Sequence, residues 1–195
     1  MVVTAPIGLS TWHFGVHQRT ISNMRGAFAQ SVPGALIIQL QPQVSFRDGA
    51  ITGAESLARW RLPDGRCLGP ADFLTLLGVD WSHPMFGREL MQIAVDTQVE
   101  LVATDRSTRL WVNLSPTMLE SVEWIEEWLV GPCRDAGIDV TSFGFELTET
   151  ALLRSLSTAQ TVLATLEDMG AQVALDDFGT ASRRCRISAR YRQAS

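Results

Sequence analysis

The chain has 195 residues, 46% hydrophobic and 19% charged, the balance of an ordinary globular domain. Its net charge of -5 argues against a nucleic-acid polymer as partner. No apolar run approaches the roughly 20 residues that span a bilayer, so no membrane role is expected. The three cysteines (Cys67, Cys133 and Cys185) are widely spaced, with no CxxC or Cys/His pattern. That excludes a zinc site or a disulfide framework and points to a reducing, cytoplasmic compartment. The first ten residues lack the basic-then-apolar order of a secretory signal.

In chain order, residues 1–34 form an N-terminal segment with a helix expected at about Thr20 to Gln30, closed by Pro33-Gly34. Ala35 to Phe46 reads as a strand, Arg47-Asp48-Gly49 as a turn and Ile51 to Arg61 as a second strand, together an antiparallel hairpin. Pro70 opens a helix at a favoured first-turn position, with Phe73, Leu74, Leu76 and Leu77 as its apolar set and an end at Gly78. A longer helix is expected from Met85 to Ala103, its apolar face holding Leu90, Ile93, Ala94, Leu101 and Val102. Leu110 to Leu114 is a short buried strand. Ser115-Pro116 opens a further helix with Leu119, Val122, Ile125, Trp128 and Leu129 on one face, broken by Gly131-Pro132. Phe143 to Leu147 is a strand, Ser157 to Met169 a helix ended by Gly170, and Ala171 to Leu175 a strand.

This strand–helix alternation implies an α/β fold with a parallel sheet and helices outside. It suits either a (β/α)8 barrel or an open doubly wound sheet. The second loses ground because no glycine-rich phosphate loop follows any strand. As a barrel the chain carries about five strands, where a full one typically needs about 250 residues.

Polar residues recur at the carboxyl ends of these strands: Glu55, Asn113, Glu146, then Asp176 and Asp177. In a parallel barrel such ends share one mouth. Several carboxylates and an amide meeting there repel one another unless a hard divalent cation joins them, since Mg²⁺, Mn²⁺ and Ca²⁺ prefer oxygen ligands. The competing reading is that each acid caps a helix or closes a salt bridge. It is the better reading for any one residue and the weaker one for the set, because Glu55 and Asn113 sit among apolar neighbours.

Six segments in register carry a resemblance. They are Gln41-Pro42-Gln43-Val44, Glu55-Ser56-Leu57-Ala58-Arg59-Trp60, Pro70-Ala71-Asp72-Phe73, Val112-Asn113-Leu114-Ser115-Pro116, Glu146-Leu147-Thr148-Glu149 and Asp176-Asp177-Phe178-Gly179-Thr180. Over about residues 36 to 180 the chain resembles the EAL domain family of cyclic di-GMP phosphodiesterases, with Ser56 where the family has alanine. The resemblance implies a TIM-type (β/α)8 barrel with an antiparallel first strand. It also implies a two-metal Mg²⁺ or Mn²⁺ site that hydrolyses cyclic di-GMP to pGpG. By position it implies Glu55, Asn113, Glu146 and Asp176 as ligands of the first ion, with Asp176 bridging and Asp177 on the second. Glu149 would steady the loop after the fifth strand, Arg59 would grip a substrate phosphate, and Gln41 would contact substrate near the guanine.

The chain departs from the family after residue 180. The family's later strands carry a lysine, a glutamate and a glutamine-glycine pair; this chain contains no lysine. Ser182 to Ser195 instead holds five arginines (183, 184, 186, 190 and 192). From Ala181, the codon families read in another frame encode Ile-Ala-Ser-Leu-Ser-His-Leu-Ser, if third bases are free, and that string fits the family's loop. The expectation is a frameshift near codon 181, a partial domain over residues 35–180, and an unrelated, disordered basic tail over 181–195; a natural divergent tail is the alternative. A barrel lacking strands six to eight is expected to be catalytically incompetent and to associate with itself through its exposed edge. The alternatives to a phosphodiesterase domain are a non-catalytic cyclic di-GMP-binding or protein-interaction remnant and a non-functional fragment.

Overall fold

The computed structural model describes residues 2–3, 33–45, 47–103, 108–148, 156–176 and 185–186. The helix expected at Thr20 to Gln30, together with Glu149 and Asp177, lies outside them.

One mixed sheet organises the chain. Its strands are β1 (Val2–Val3), β2 (Ala35–Ser45), β3 (Ile51–Arg61), β4 (Cys67–Leu68), β5 (Arg109–Asn113), β6 (Phe143–Thr148), β7 (Gln172–Asp176) and β8 (Cys185–Arg186). The spatial order is β1-β2-β3-β5-β6-β7-β8, with β4 pairing back on β3. β3, β5, β6 and β7 run parallel. β2 is antiparallel to β3 across the Asp48-Gly49 turn, and β8 is antiparallel to β7. The sheet is thus an incomplete α/β barrel with an antiparallel first strand, as the hairpin and the resemblance implied. The β4 ribbon closing on Trp60 and Arg61 has only two residues, too short to leave a periodicity in sequence.

Strand alternation sends successive side chains to opposite faces. On one face Leu36, Ile38, Ala54, Ala58, Trp60, Leu110, Val112, Phe143, Phe145, Leu147, Val173 and Leu175 join the helices in one hydrophobic core. The helices are α1 (Pro70–Leu77), α2 (Pro84–Ala103), α3 (Gly131–Ala136) and α4 (Leu156–Asp168). Phe73 of α1 and Phe86 of α2 stack near Trp60 and Trp81, with ring centroids 5.9 to 6.4 Å apart. This aromatic cluster, spaced for favourable tilted and edge contacts, fastens the first two helices to the back of β3.

Two helices differ from the sequence reading. α2 forms where expected, but Val102 is 48% exposed, while Phe86, Met91 and Val95 are buried with Ile93 and Ala94. The buried stripe drifts around the helix, so Val102 passes out of it by the last turn. The helix opened by Pro116 is only a 3-10 turn, Pro116–Leu119. Gly131-Pro132 does not break the following helix: a π-helical segment, Ile125–Val130, runs directly into α3. Pro132 is tolerated because the Gly131 N–H bonds to the Glu126 carbonyl five residues back. This wider turn relieves the clash a proline ring makes with the preceding turn of an α-helix.

Candidate active site

The other face of the sheet is the barrel interior, and strand parity decides which residues it receives. Gln39, Gln41 and Gln43 come from β2; Gly53, Glu55, Leu57 and Arg59 from β3; Trp111 and Asn113 from β5; Gly144 and Glu146 from β6; Gln172 and Ala174 from β7, with the Asp176 backbone at the next position of the same parity. Every expected ligand within the described strands therefore falls on one face. A register slip of one residue in any strand would turn its ligand into the hydrophobic core.

The register places these residues on a rising ladder. Gln41 pairs with Glu55. Glu55 pairs with Trp111, so Asn113 stands two residues further along β5. Asn113 pairs with Glu146. Glu146 pairs with Ala174, and Asp176 stands two residues beyond it. The offset from Glu55 to Asp176 is therefore four residues over three strand-to-strand steps. An eight-stranded barrel of shear eight needs about one residue per step to keep groups level with its tilted axis. The ladder thus levels Glu55, Asn113, Glu146 and the Asp176 backbone at one mouth.

Within the mouth, Asn113 Nδ2 donates to Glu55 Oε1 at 3.4 Å, a long bond between neighbouring strands. Glu146 is 0% exposed, an acid taken wholly out of water, while its backbone carbonyl accepts from the Leu114 N–H at 2.7 Å. Burying a carboxylate is costly unless donors or a cation meet it. Two carboxylates and an amide on adjacent strands form an oxygen-rich set suited to a hard divalent cation. Among the described residues no three acidic, histidine or cysteine side chains come together as a metal cluster. The described geometry unites Glu55, Asn113 and Glu146; it locates Asp176 by its backbone, and Asp177 and Glu149 fall outside the described residues.

Arg59 lies one turn of pleat above Leu57 on the same face. Its Nε donates to Gln39 Oε1 at 3.0 Å and its Nη1 to the Ala58 carbonyl at 2.8 Å. It borders a cavity of about 370 Å³ at the carboxyl ends of the parallel strands, lined also by Pro70, Trp81, Asn113, Ser115 and Thr148. Cavity and ligand ladder therefore meet at Asn113.

Two participants escaped the sequence reading. Trp111, 7% exposed, belongs to the interior and not to the helix-facing core. Its indole lies across the sheet: a methyl group on Gly144 would stand 2.5 Å from its Cδ2 and Cε3, and one on Gly53 would stand 2.9 Å from its Nε1. It floors the barrel one pleat below Asn113. The signal was present, since an isolated glycine inside a strand marks a close approach: Gly144 pairs with Trp111, and Gly53 lies diagonally across from it, two residues before its partner Glu55. The other is Gln39, which shares a face with Gln41 at a spacing of two.

The sequence pattern of the EAL domain matches residues 25–190, most of the chain. The chain belongs to the EAL domain family. It is 30% identical over 140 residues, 72% of its length, to the cyclic di-GMP phosphodiesterase PA2567 of Pseudomonas aeruginosa, of which it covers 24%. The fold matches the PaMucR phosphodiesterase in its c-di-GMP complex with a TM-score of 0.66 at 21% identity, over 82% of this chain and 63% of that one. It matches Klebsiella pneumoniae BlrP1, in a manganese/cy-diGMP complex, with a TM-score of 0.61 at 25% identity, over 77% of this chain and 37% of that one. The EAL domain here spans about a quarter or less of the length of the first curated relatives it matches. In the described part of this EAL domain no helix is long and apolar enough to cross a membrane.

Proposed function

We propose that this EAL domain binds cyclic di-GMP and Mg²⁺ or Mn²⁺ at the mouth formed by β3, β5, β6 and β7. The observation that carries the reading is the ladder, which brings Glu55, Asn113, Glu146 and the Asp176 backbone to one level on one face. Glu55, Asn113, Glu146 and Asp176 hold the first ion, and Asp177 joins Asp176 on the second. Glu149 supports the loop that follows β7. When bound, such cations lower the pKa of a water and neutralise charge developing on a phosphodiester.

The chain's own groups bind and orient. Arg59 offers a planar charged fork to a phosphate of the nucleotide. Gln41, in register with Glu55, supplies amide donors and an acceptor to the base. Trp111 closes the floor and keeps water from entering beneath the carboxylates. The polypeptide of these 195 residues contains no lysine, the group the family uses to assist the attacking water. For these 195 residues taken by themselves, the reading is therefore binding of the dinucleotide without hydrolysis.

Calorimetric titration with Mn²⁺, then with cyclic di-GMP in saturating Mn²⁺, tests this directly, with chromatography for pGpG on the same samples. Binding of both without pGpG is expected. Glu146→Gln should abolish Mn²⁺ binding while leaving the fold intact. Mn²⁺ affinity unchanged in Glu146→Gln would remove the metal reading, and steady production of pGpG would remove the claim of a binding-only domain.

A further inference from the structure

We propose that Gln39 is a positioning residue: it aims the Arg59 guanidinium at the nucleotide phosphate without neutralising it. The inference rests on the phosphate-binding role of Arg59 proposed above. Gln39 and Arg59 stand on adjacent antiparallel strands, on the interior face, at diagonal register positions, since Gln39 pairs with Leu57 and Ile37 with Arg59. Gln39 Oε1 accepts from Arg59 Nε at 3.0 Å, and the Ala58 carbonyl takes one Nη1 hydrogen at 2.8 Å. Both groups are half-buried, so the pair is sheltered from competing water.

An arginine has five N–H donors in a rigid plane. Fixing Nε and one Nη1 hydrogen sets the orientation of that plane. Among the described residues it leaves three donors uncommitted, beside a cavity that Arg59 itself lines. The chemistry of the acceptor matters as much as its place. A carboxylate at position 39 would hold the guanidinium equally well but would cancel its charge and compete with an incoming phosphodiester. A neutral amide orients the cation and leaves its charge for the ligand. An arginine without such a partner keeps several rotamers, and ordering it on binding costs entropy.

The test uses the 195-residue chain, with cyclic di-GMP as probe in saturating Mn²⁺ and Mn²⁺ alone as control. Gln39→Met keeps the side chain's volume and removes the acceptor; it should weaken cyclic di-GMP binding about 5- to 10-fold, the net scale of one ordinary hydrogen bond. Gln39→Glu should weaken it further, with a steeper loss as salt is lowered. Mn²⁺ affinity should stay within about twofold in both variants, because neither touches a ligand. In an Arg59→Ala background Gln39→Met should have no further effect, the signature of a residue acting through another. In nitrogen-15 spectra of the ligand-free protein, the Arg59 Nε–H should exchange faster with solvent in Gln39→Met than in the parent, a readout independent of ligand. Equal losses from Gln39→Met in both backgrounds, or no loss where Arg59→Ala causes one, would overturn the inference alone. No loss from Arg59→Ala itself would overturn the phosphate role of Arg59, and this inference with it.

Discussion

Replacing Gly144 with alanine tests the floor of the barrel. The new methyl group would stand 2.5 Å from Trp111 Cδ2 and Cε3 and 2.8 Å from Cε2. Ordinary carbon–carbon contacts are about 3.5–4.0 Å, so roughly 1 Å of movement is required. The atoms struck belong to the middle of a rigid indole and not to the tip of a flexible chain. The ring also lies against Gly53, where a methyl group would meet Nε1 at 2.9 Å, so it cannot simply slide across the sheet. It must lift toward the carboxylates or β6 must move. Overpacking of this kind costs about 1–3 kcal/mol, offset by roughly 0.5–1 kcal/mol because alanine suits a strand better than glycine. The expected net loss is about 1 kcal/mol. At a urea slope of about 2 kcal/mol/M that lowers the unfolding midpoint by roughly 0.5 M. Urea titrations followed by circular dichroism give the number. A second series in a Trp111→Val background isolates the cause: with the ring gone, Gly144→Ala should be neutral or slightly stabilising. An unchanged midpoint for Gly144→Ala in the parent, or an equal loss in the Trp111→Val background, would refute the account of the floor.

Other outcomes follow from single contacts. Trp124→Phe removes the bond from Trp124 Nε1 to the Met118 carbonyl, 2.7 Å long and buried. It leaves that carbonyl unsatisfied, so a loss of about 1–3 kcal/mol is expected in the same titration. Burial, with Asp139 adding a smaller electrostatic push, raises the Cys133 thiol from an ordinary value near 9.0 up to about 11. The folded value lies above the unfolded one, so this contribution is intact below pH 9 and is lost as pH rises toward about 11. Melting temperatures of Cys133→Ala and the parent should therefore converge in their pH slopes only below that window. With a thiol reagent at pH 8 the exposed Cys67 should react at once, and Cys133 only on unfolding.

The sequence made the hairpin, the parallel strands and the one-faced placement of Glu55, Asn113 and Glu146 readable because each is a local pattern. Alternation over Leu36 to Gln43 fixes a strand and its two faces, and Gly78 and Gly170, at φ of 68° and 85°, end helices where expected. What escaped depends on contacts between distant segments. Nothing local to Gly131-Pro132 reveals that a π turn before it lets the helix continue. Trp111 reads as one more apolar residue in a buried strand until β3 and β6 are laid beside it, each presenting a glycine. The Gln39–Arg59 bond joins residues 20 positions apart and exists only because the β2–β3 register sets them on a diagonal.

Trp111 has an optical consequence. Trp60, Trp81, Trp124 and Trp128 pack into or against the helix-facing core, whereas Trp111 emits from beneath the ligand ladder. A paramagnetic Mn²⁺ ion bound at the proposed site would quench nearby indole fluorescence and Mg²⁺ would not. Displacing one ion by the other would then be visible as a change in brightness, with no dye attached.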